Sequence, residues 1–137
     1  MKFEWVPLKK IGAFEFGAPI KDYLKIYDLI ELPDEYDEKE VWTVYTISDF
    51  DVRIFAEEGN IVSVSCYEEF IYKGKNLIGL NLREVIDLIG VQPNKKVDII
   101  YIDNEQKRVY ELEDVSAQLW VKDGKVVTIF CGPAYDD

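Results

Sequence analysis

The sequence predicts an α+β fold made of two tandem helix-plus-antiparallel-meander repeats related by a pseudo-two-fold axis. Three observations carry this reading. The chain resembles itself at a fixed offset, two short segments place apolar residues with helical period, and each is followed by alternating β-branched and aromatic runs closed by hairpin turns. The stretch Trp42 to Cys66 superposes without a gap on Lys107 to Cys131, an offset of 65 residues, with six identities in 25 positions. The identities are Val44 with Val109, Tyr45 with Tyr110, Asp49 with Asp114, Gly59 with Gly124, Val62 with Val127 and Cys66 with Cys131, and Phe55 stands level with Trp120. Upstream, at an offset of 62, Gly12 meets Gly74, Phe16-Gly17 meets Ile78-Gly79, and Ile20-Lys21-Asp22 meets Leu82-Arg83-Glu84.

The elements follow in order. Ile20, Tyr23, Leu24 and Tyr27 fall at i, i+3, i+4 and i+7 behind Pro19, which predicts a helix of about ten residues. Strands are then expected over 41–47, 52–57 and 61–67, the last two joined by the turn Glu57-Glu58-Gly59-Asn60. Leu82, Val85, Ile86 and Ile89 repeat the helical spacing, opened by Asn81 with Glu84 as a capping box and stopped by Gly90. Strands follow over 97–103, 108–112, 117–122 and 126–131, with Lys122-Asp123-Gly124-Lys125 as the matching turn. A unit of about 65 residues buries too little surface to be comfortable alone. The chain 1–137 is therefore expected to be one domain of two repeats, about 6–69 and 70–132, with both helices on one face of the sheet system.

Composition narrows the chemistry. The 137 residues carry a net charge of −11, which disfavours nucleic acid and anionic membrane as partners and favours a basic one. Histidine is absent, which removes the usual general base and most transition-metal sites. Neither a phosphate-binding loop nor a nucleophile motif occurs, so no enzymatic activity, metal or cofactor is expected. Cys66 and Cys131 occupy equivalent strand positions and are expected as buried free thiols. The start of the chain does not read as a signal peptide and no run of about 18 apolar residues occurs, so a cytoplasmic location is expected.

The segment Gly79-Leu80-Asn81-Leu82-Arg83-Glu84-Val85-Ile86-Asp87-Leu88-Ile89-Gly90 resembles the glycine, polar cap, Glu-Val, apolar pair, glycine pattern of SmpA/BamE-like domains. β-Lactamase inhibitor proteins are similar in being tandem copies of such a unit. The resemblance implies a non-catalytic scaffold that offers a concave sheet face to a target protein. It covers one helix of the second copy and transfers no target.

Alternation along the hairpins sorts the side chains by face. Val52, Ile54, Ala56, Val62, Val64, Cys66, Ala117, Leu119, Val121, Val127, Ile129 and Cys131 form a uniformly apolar set expected under the helices. The opposite face carries Arg53, Phe55, Glu57, Ser63 and Ser65 with Gln118, Trp120, Lys122, Thr128 and Phe130. Aromatic anchors and Arg among small polar residues suit a protein-binding surface. The same pattern also fits cross-strand pairs that stabilise a half-covered sheet. The stretch Glu31 to Glu40 holds six acids, among them Asp34, Glu35, Asp37 and Glu38, placed to steer a basic partner or simply to keep a loop solvated.

The expected function is therefore a non-enzymatic protein-binding module, an inhibitor of the immunity-protein type that neutralises a basic partner such as a toxin. Its partner-binding residues would be Arg53, Phe55, Glu57, Ser63, Gln118, Trp120, Thr128 and Phe130, with Asp34, Glu35, Asp37 and Glu38 for steering. The alternative is a structural or assembly subunit whose aromatic face is its own oligomer interface. Monomer and homodimer both remain open.

Overall fold

A computed structural model describes residues 2–37, 39 and 41–134. The chain forms β1 (Trp5–Val6), β2 (Lys10–Ile11), β3 (Phe14–Glu15), α1 (Lys21–Leu24), β4 (Leu29–Glu31), β5 (Trp42–Ile47), β6 (Phe50–Glu57) and β7 (Asn60–Cys66). It continues through β8 (Ile71–Tyr72), β9 (Lys75–Asn76), α2 (Leu82–Ile89), β10 (Asp98–Ile102), β11 (Glu105–Leu112), β12 (Ala117–Lys122) and β13 (Lys125–Cys131). Strand dominates and helix is scarce, a sheet-rich member of the expected class.

Eight strands make one antiparallel sheet in the order β10-β11-β12-β13-β7-β6-β5-β4. Two meanders, β4 to β7 and β10 to β13, thus meet through their last strands. The seam pairs Ile129 with Cys66, Phe130 with Ser65 and Cys131 with Val64. The first meander has one strand more than the sequence reading expects, because β4 spans only three residues and carries no alternation long enough to register. The small sheets β1-β2-β3 and β8-β9 escape notice for the same reason.

Helix lengths differ from the expectation of about ten residues each. In α2, Asn81 Oδ1 accepts from the Glu84 N–H at 2.9 Å while Asn81 Nδ2 donates to Glu84 Oε1 at 2.7 Å, closing the capping box. Gly90 ends the helix with φ 78°, a left-handed conformation that glycine reaches without a Cβ penalty. Val85, Ile86 and Ile89 are buried in the core, each contributing roughly 1.5–3 kcal/mol of burial. Across α1, the cap position Ile20 has no side-chain acceptor to offer and no glycine follows, so only four residues are helical. Leu24 is 43% exposed, off the face its spacing predicts, whereas Ile20 is buried and Tyr23 and Tyr27 pack against the core.

The core lies on one side of the sheet, with Val52, Ile54, Ala56, Val64 and Cys66 meeting Ala117, Leu119, Val121, Ile129 and Cys131. Two expected members are corrected. Val62 and Val127 are only half-buried, and Ile61 and Val126 take the core positions. The register explains the exchange: Ala56 pairs with Ile61 while Phe55 pairs with Ser63, and Val121 pairs with Val126 while Trp120 pairs with Thr128. Each hairpin holds one extra residue in its second strand, a β-bulge that flips Val62 and Val127 out of the alternation.

The same hydrogen bonds tie each meander's last hairpin to the segment before its helix. Gly17 N–H donates to Ile61 O at 2.7 Å and Gly79 N–H to Val126 O at 2.8 Å. Ile61 N–H donates to Ala18 O and Val126 N–H to Leu80 O, both at 2.9 Å. The N-terminal strands close the far end of the core, where Trp5 packs against Phe70 and Tyr72 with ring centroids 5.2 and 5.1 Å away.

Candidate functional site

The face of the sheet away from the core carries a row of aromatic rings. Trp42 on β5 meets Phe55 on β6 edge-on, with centroids 6.5 Å apart. Phe55 stacks on Phe130 of β13 at 6.0 Å, and Phe130 stacks on Trp120 of β12 at 5.4 Å. The two phenylalanines reach each other across β7 because the residues paired with them there are serines, Ser63 opposite Phe55 and Ser65 opposite Phe130. A larger residue at either serine would separate the rings. The row therefore crosses the seam and belongs to both meanders.

Polar side chains flank the row. Gln118 Nε2 donates to Glu111 at 2.9 Å, and Gln118 Oε1 accepts from Trp120 Nε1 at 3.4 Å, which orients the indole. Arg53 is half-buried, donates from Nε to Glu35 Oε1 at 3.0 Å and from Nη1 to Val52 O at 3.0 Å, and lies 5.8 Å from the Tyr67 ring centroid. Glu57 is exposed and pairs with Trp42 at the open end of the hairpin.

The acidic segment is docked beside this face. Leu32 N–H donates to Val44 O at 2.8 Å, extending β4 along β5, and Asp37 Oδ1 accepts from the Trp42 N–H at 2.8 Å. A 3-10 turn over Pro33–Glu35 then presents Glu35 to Arg53 and leaves Asp34 exposed. Asp37 thus acts as a backbone acceptor that fixes the start of β5, and Glu35 is ion-paired. Glu38 lies outside the described residues.

Two residues of the expected surface are covered by their neighbours on the same face. Thr128 is 4% exposed beneath its pair partner Trp120, and Ser65 is fully buried with Oγ donating to Tyr67 Oη at 3.2 Å. Neither is open to direct contact. Lys122 stands apart from the row, ion-paired with Glu105 at 2.7 Å; that hydrogen bond pulls the Glu105 carboxyl down and the Lys122 ammonium up from their ordinary values.

A cavity of about 460 Å³ opens beside the row, against Trp42, Phe55 and Phe130. Phe55, Ser63, Gln118 and Phe130 of the expected set line it. Trp42, Val62, Ser116, the buried Cys131 and the segment Gly132-Pro133-Ala134 complete its described walls, and sequence reasoning assigned none of them to the site. Trp42 carried a usable signal, since alternation along 42–47 puts it on the aromatic face. Val62 arrives there through the bulge, and the last three through the chain's path beyond β13. Ser116 closes a 3-10 turn in left-handed backbone, φ 50°, and its buried Oγ has no hydrogen-bond partner among the described residues.

Cys66 and Cys131 are both buried and free. Burial, and secondarily Glu69, pushes the Cys66 thiol up to about 12. Burial, then Cys66, raises the Cys131 thiol well above its ordinary value. These are core thiols held neutral, without the electropositive setting of a reactive cysteine. Among the described residues no group of three or more Cys, Asp or Glu side chains is placed to hold a metal ion, and no helix is long and apolar enough to cross a membrane. No protein-family model, curated protein or solved structure matches the chain.

Proposed function

We propose that this chain is a non-enzymatic protein-binding module, a cytoplasmic inhibitor of the immunity-protein type that engages a basic protein such as a toxin through the aromatic face. The observation that carries the reading is the row Trp42-Phe55-Phe130-Trp120 with the acidic turn docked at its end. Half-exposed aromatic rings rimmed by polar groups are the usual anchors of a protein interface. The neighbouring Asp34 and Glu35 add a field that speeds encounter with a positively charged surface.

The same proposal holds that the two meanders are copies of one unit, akin to the SmpA/BamE-like and β-lactamase-inhibitor repeats, with both helical segments on the core side. The mirrored strand order, the bulges at Val62 and Val127, and the matched tethers at Gly17 and Gly79 support it. Duplication would explain why the aromatic row is built across the seam.

Capture from native lysate by the wild type and by a Phe55→Ala/Trp120→Ala variant tests the face. The variant is expected to lose the partner that the wild type retains; equal recovery by both proteins would refute the assignment.

One observation favours the second reading, a structural or assembly subunit. The sheet ends at β10, where Ile99, Tyr101 and Ile102 are 50%, 71% and 42% exposed on an edge strand that bears no lysine or proline. Such an edge is open to pairing with another chain. Light scattering separates the two readings, since a stable dimer in which Phe55 and Trp120 are shielded assigns the aromatic face to self-assembly.

A further inference from the structure

We propose that the cavity beside the aromatic row is an anchor pocket for one neutral aromatic side chain of the partner, a tyrosine or a tryptophan. The inference rests on the reading of this face as the partner-binding surface and names what enters it. Its first support is charge. The chain has 27 acidic and 16 basic residues, yet none of the described residues lining the cavity is ionisable at neutral pH. Glu111 and Glu57 stand nearby, but Glu111 is engaged by Gln118 and Glu57 is on the exposed end of its strand. A lysine or arginine entering the cavity would lose its water with no counter-charge on the walls. The basic groups of the partner belong instead to the acidic turn beside it.

The shape argues for a ring. Trp42, Phe55 and Phe130 form aromatic walls, which receive another ring edge-on or offset. Ser63 and Gly132 add little side-chain bulk to the lining, and Gly132 lies so close to β7 that a Cβ there would stand 2.9 Å from Val62 O. A volume of about 460 Å³ lies within the range of cavities that enclose small organic groups. The polar inventory argues for a ring with a hydrogen-bonding edge. Gln118 is already committed on both sides, to Glu111 and Trp120. The Ser116 hydroxyl on the same lining is buried and has no partner among the described residues. A phenol hydroxyl or an indole N–H supplies one where a phenylalanine or leucine does not.

The test is an amide NMR titration of the full chain with N-acetyl-tyrosinamide and N-acetyl-tryptophanamide, and with the leucine and lysine amides for comparison. The aromatic amides are expected to shift the signals of Ser63, Ser116, Gln118, Phe130 and Gly132 saturably, at least tenfold more tightly than the leucine or lysine amide. Filling the cavity with Ser63→Leu should abolish the effect. Should that variant lose its dispersed spectrum, Ala134→Trp, at an exposed wall position, serves the same purpose. Absence of saturable shifts, equal binding of the lysine amide, or unchanged binding in the filled protein would overturn the anchor. Free phenol or indole binding a hundredfold more tightly than the amides would also overturn it, assigning the cavity to a small molecule. The titration needs no partner, so its failure is separable from that of the face. Loss of capture by Phe55→Ala/Trp120→Ala alongside a negative titration removes the pocket alone, whereas unchanged capture removes the face and the anchor role together.

Discussion

Ser116 is the residue where local energetics and the site conflict most. Its hydroxyl is buried without a partner among the described residues, and its backbone sits in the left-handed region. A buried unsatisfied hydroxyl costs about 1–3 kcal/mol, and alanine removes the hydroxyl while leaving the Cβ and backbone as they are. Ser116→Ala is therefore expected to stabilise the free protein by about 1 kcal/mol, read as a rise in the urea midpoint at unchanged slope. A fall in the midpoint would show that the hydroxyl has a partner in solution. Cys66 gives the residue-scale pH dependence. Its thiol rises from the ordinary value of 9.0 to about 12 on folding, chiefly by burial, so the folded chain holds a proton that the unfolded chain releases. The associated stability is fully present below pH 9 and is lost as pH rises toward about 12, at no more than about 1.4 kcal/mol per pH unit. Urea unfolding at pH 8 and pH 10 should show a smaller alkaline loss in Cys66→Ala than in the wild type. The inaccessible thiols should react with a thiol reagent only on denaturation.

The contrast between the helices shows what capping decides at the scale of elements. Both segments carry apolar residues at helical spacing, yet the capped one runs eight residues and the uncapped one four. Asn81→Ala removes the acceptor for the Glu84 N–H and is expected to cost about 1 kcal/mol, measured by urea unfolding. An effect below about 0.3 kcal/mol would mean that packing of Val85, Ile86 and Ile89 alone holds the helix. The bulges teach a complementary lesson. Alternation assigned Val52, Ile54, Leu119 and Ile129 to the core correctly and failed at Val62 and Val127, each the extra residue of its strand. Period-2 reasoning has no means of counting a residue that the partner strand lacks. That same miscount hid Val62 from the cavity wall.

For the whole molecule, the seam between β7 and β13 joins meanders that share one core. Separation would uncover Cys66, Val64, Ile129 and Cys131, all buried in the intact chain. Fragments 1–69 and 70–132 are each expected to show poorly dispersed amide spectra, with dispersion restored on mixing if the seam re-forms. A folded fragment would refute the dependence. Charge also acts at this scale. The net −11 is spread widely, but the acidic turn pinned to β5 sits next to the aromatic row. Association with a basic partner is expected to slow severalfold between about 0.05 and 0.5 M salt as the screening length shortens, while dissociation changes little.

The amino-acid sequence by itself determined a sheet-rich fold with few helices, the β6–β7 and β12–β13 hairpins, the cap and stop of α2, and the sorting of Phe55, Trp120 and Phe130 away from the core. These are short-range consequences of alternation, helical period and turn chemistry, and they need no knowledge of distant neighbours. Only the tertiary structure decided that the two meanders join through β7 and β13, which brings Phe55 and Phe130 into one stack over two serines. It also covered Thr128 beneath Trp120, set Glu35 against Arg53, and shaped a cavity with Trp42, Ser116 and Gly132. The physical reason is that pairing across the seam couples residues more than 60 positions apart, for which alternation along one strand carries no information about the strand alongside.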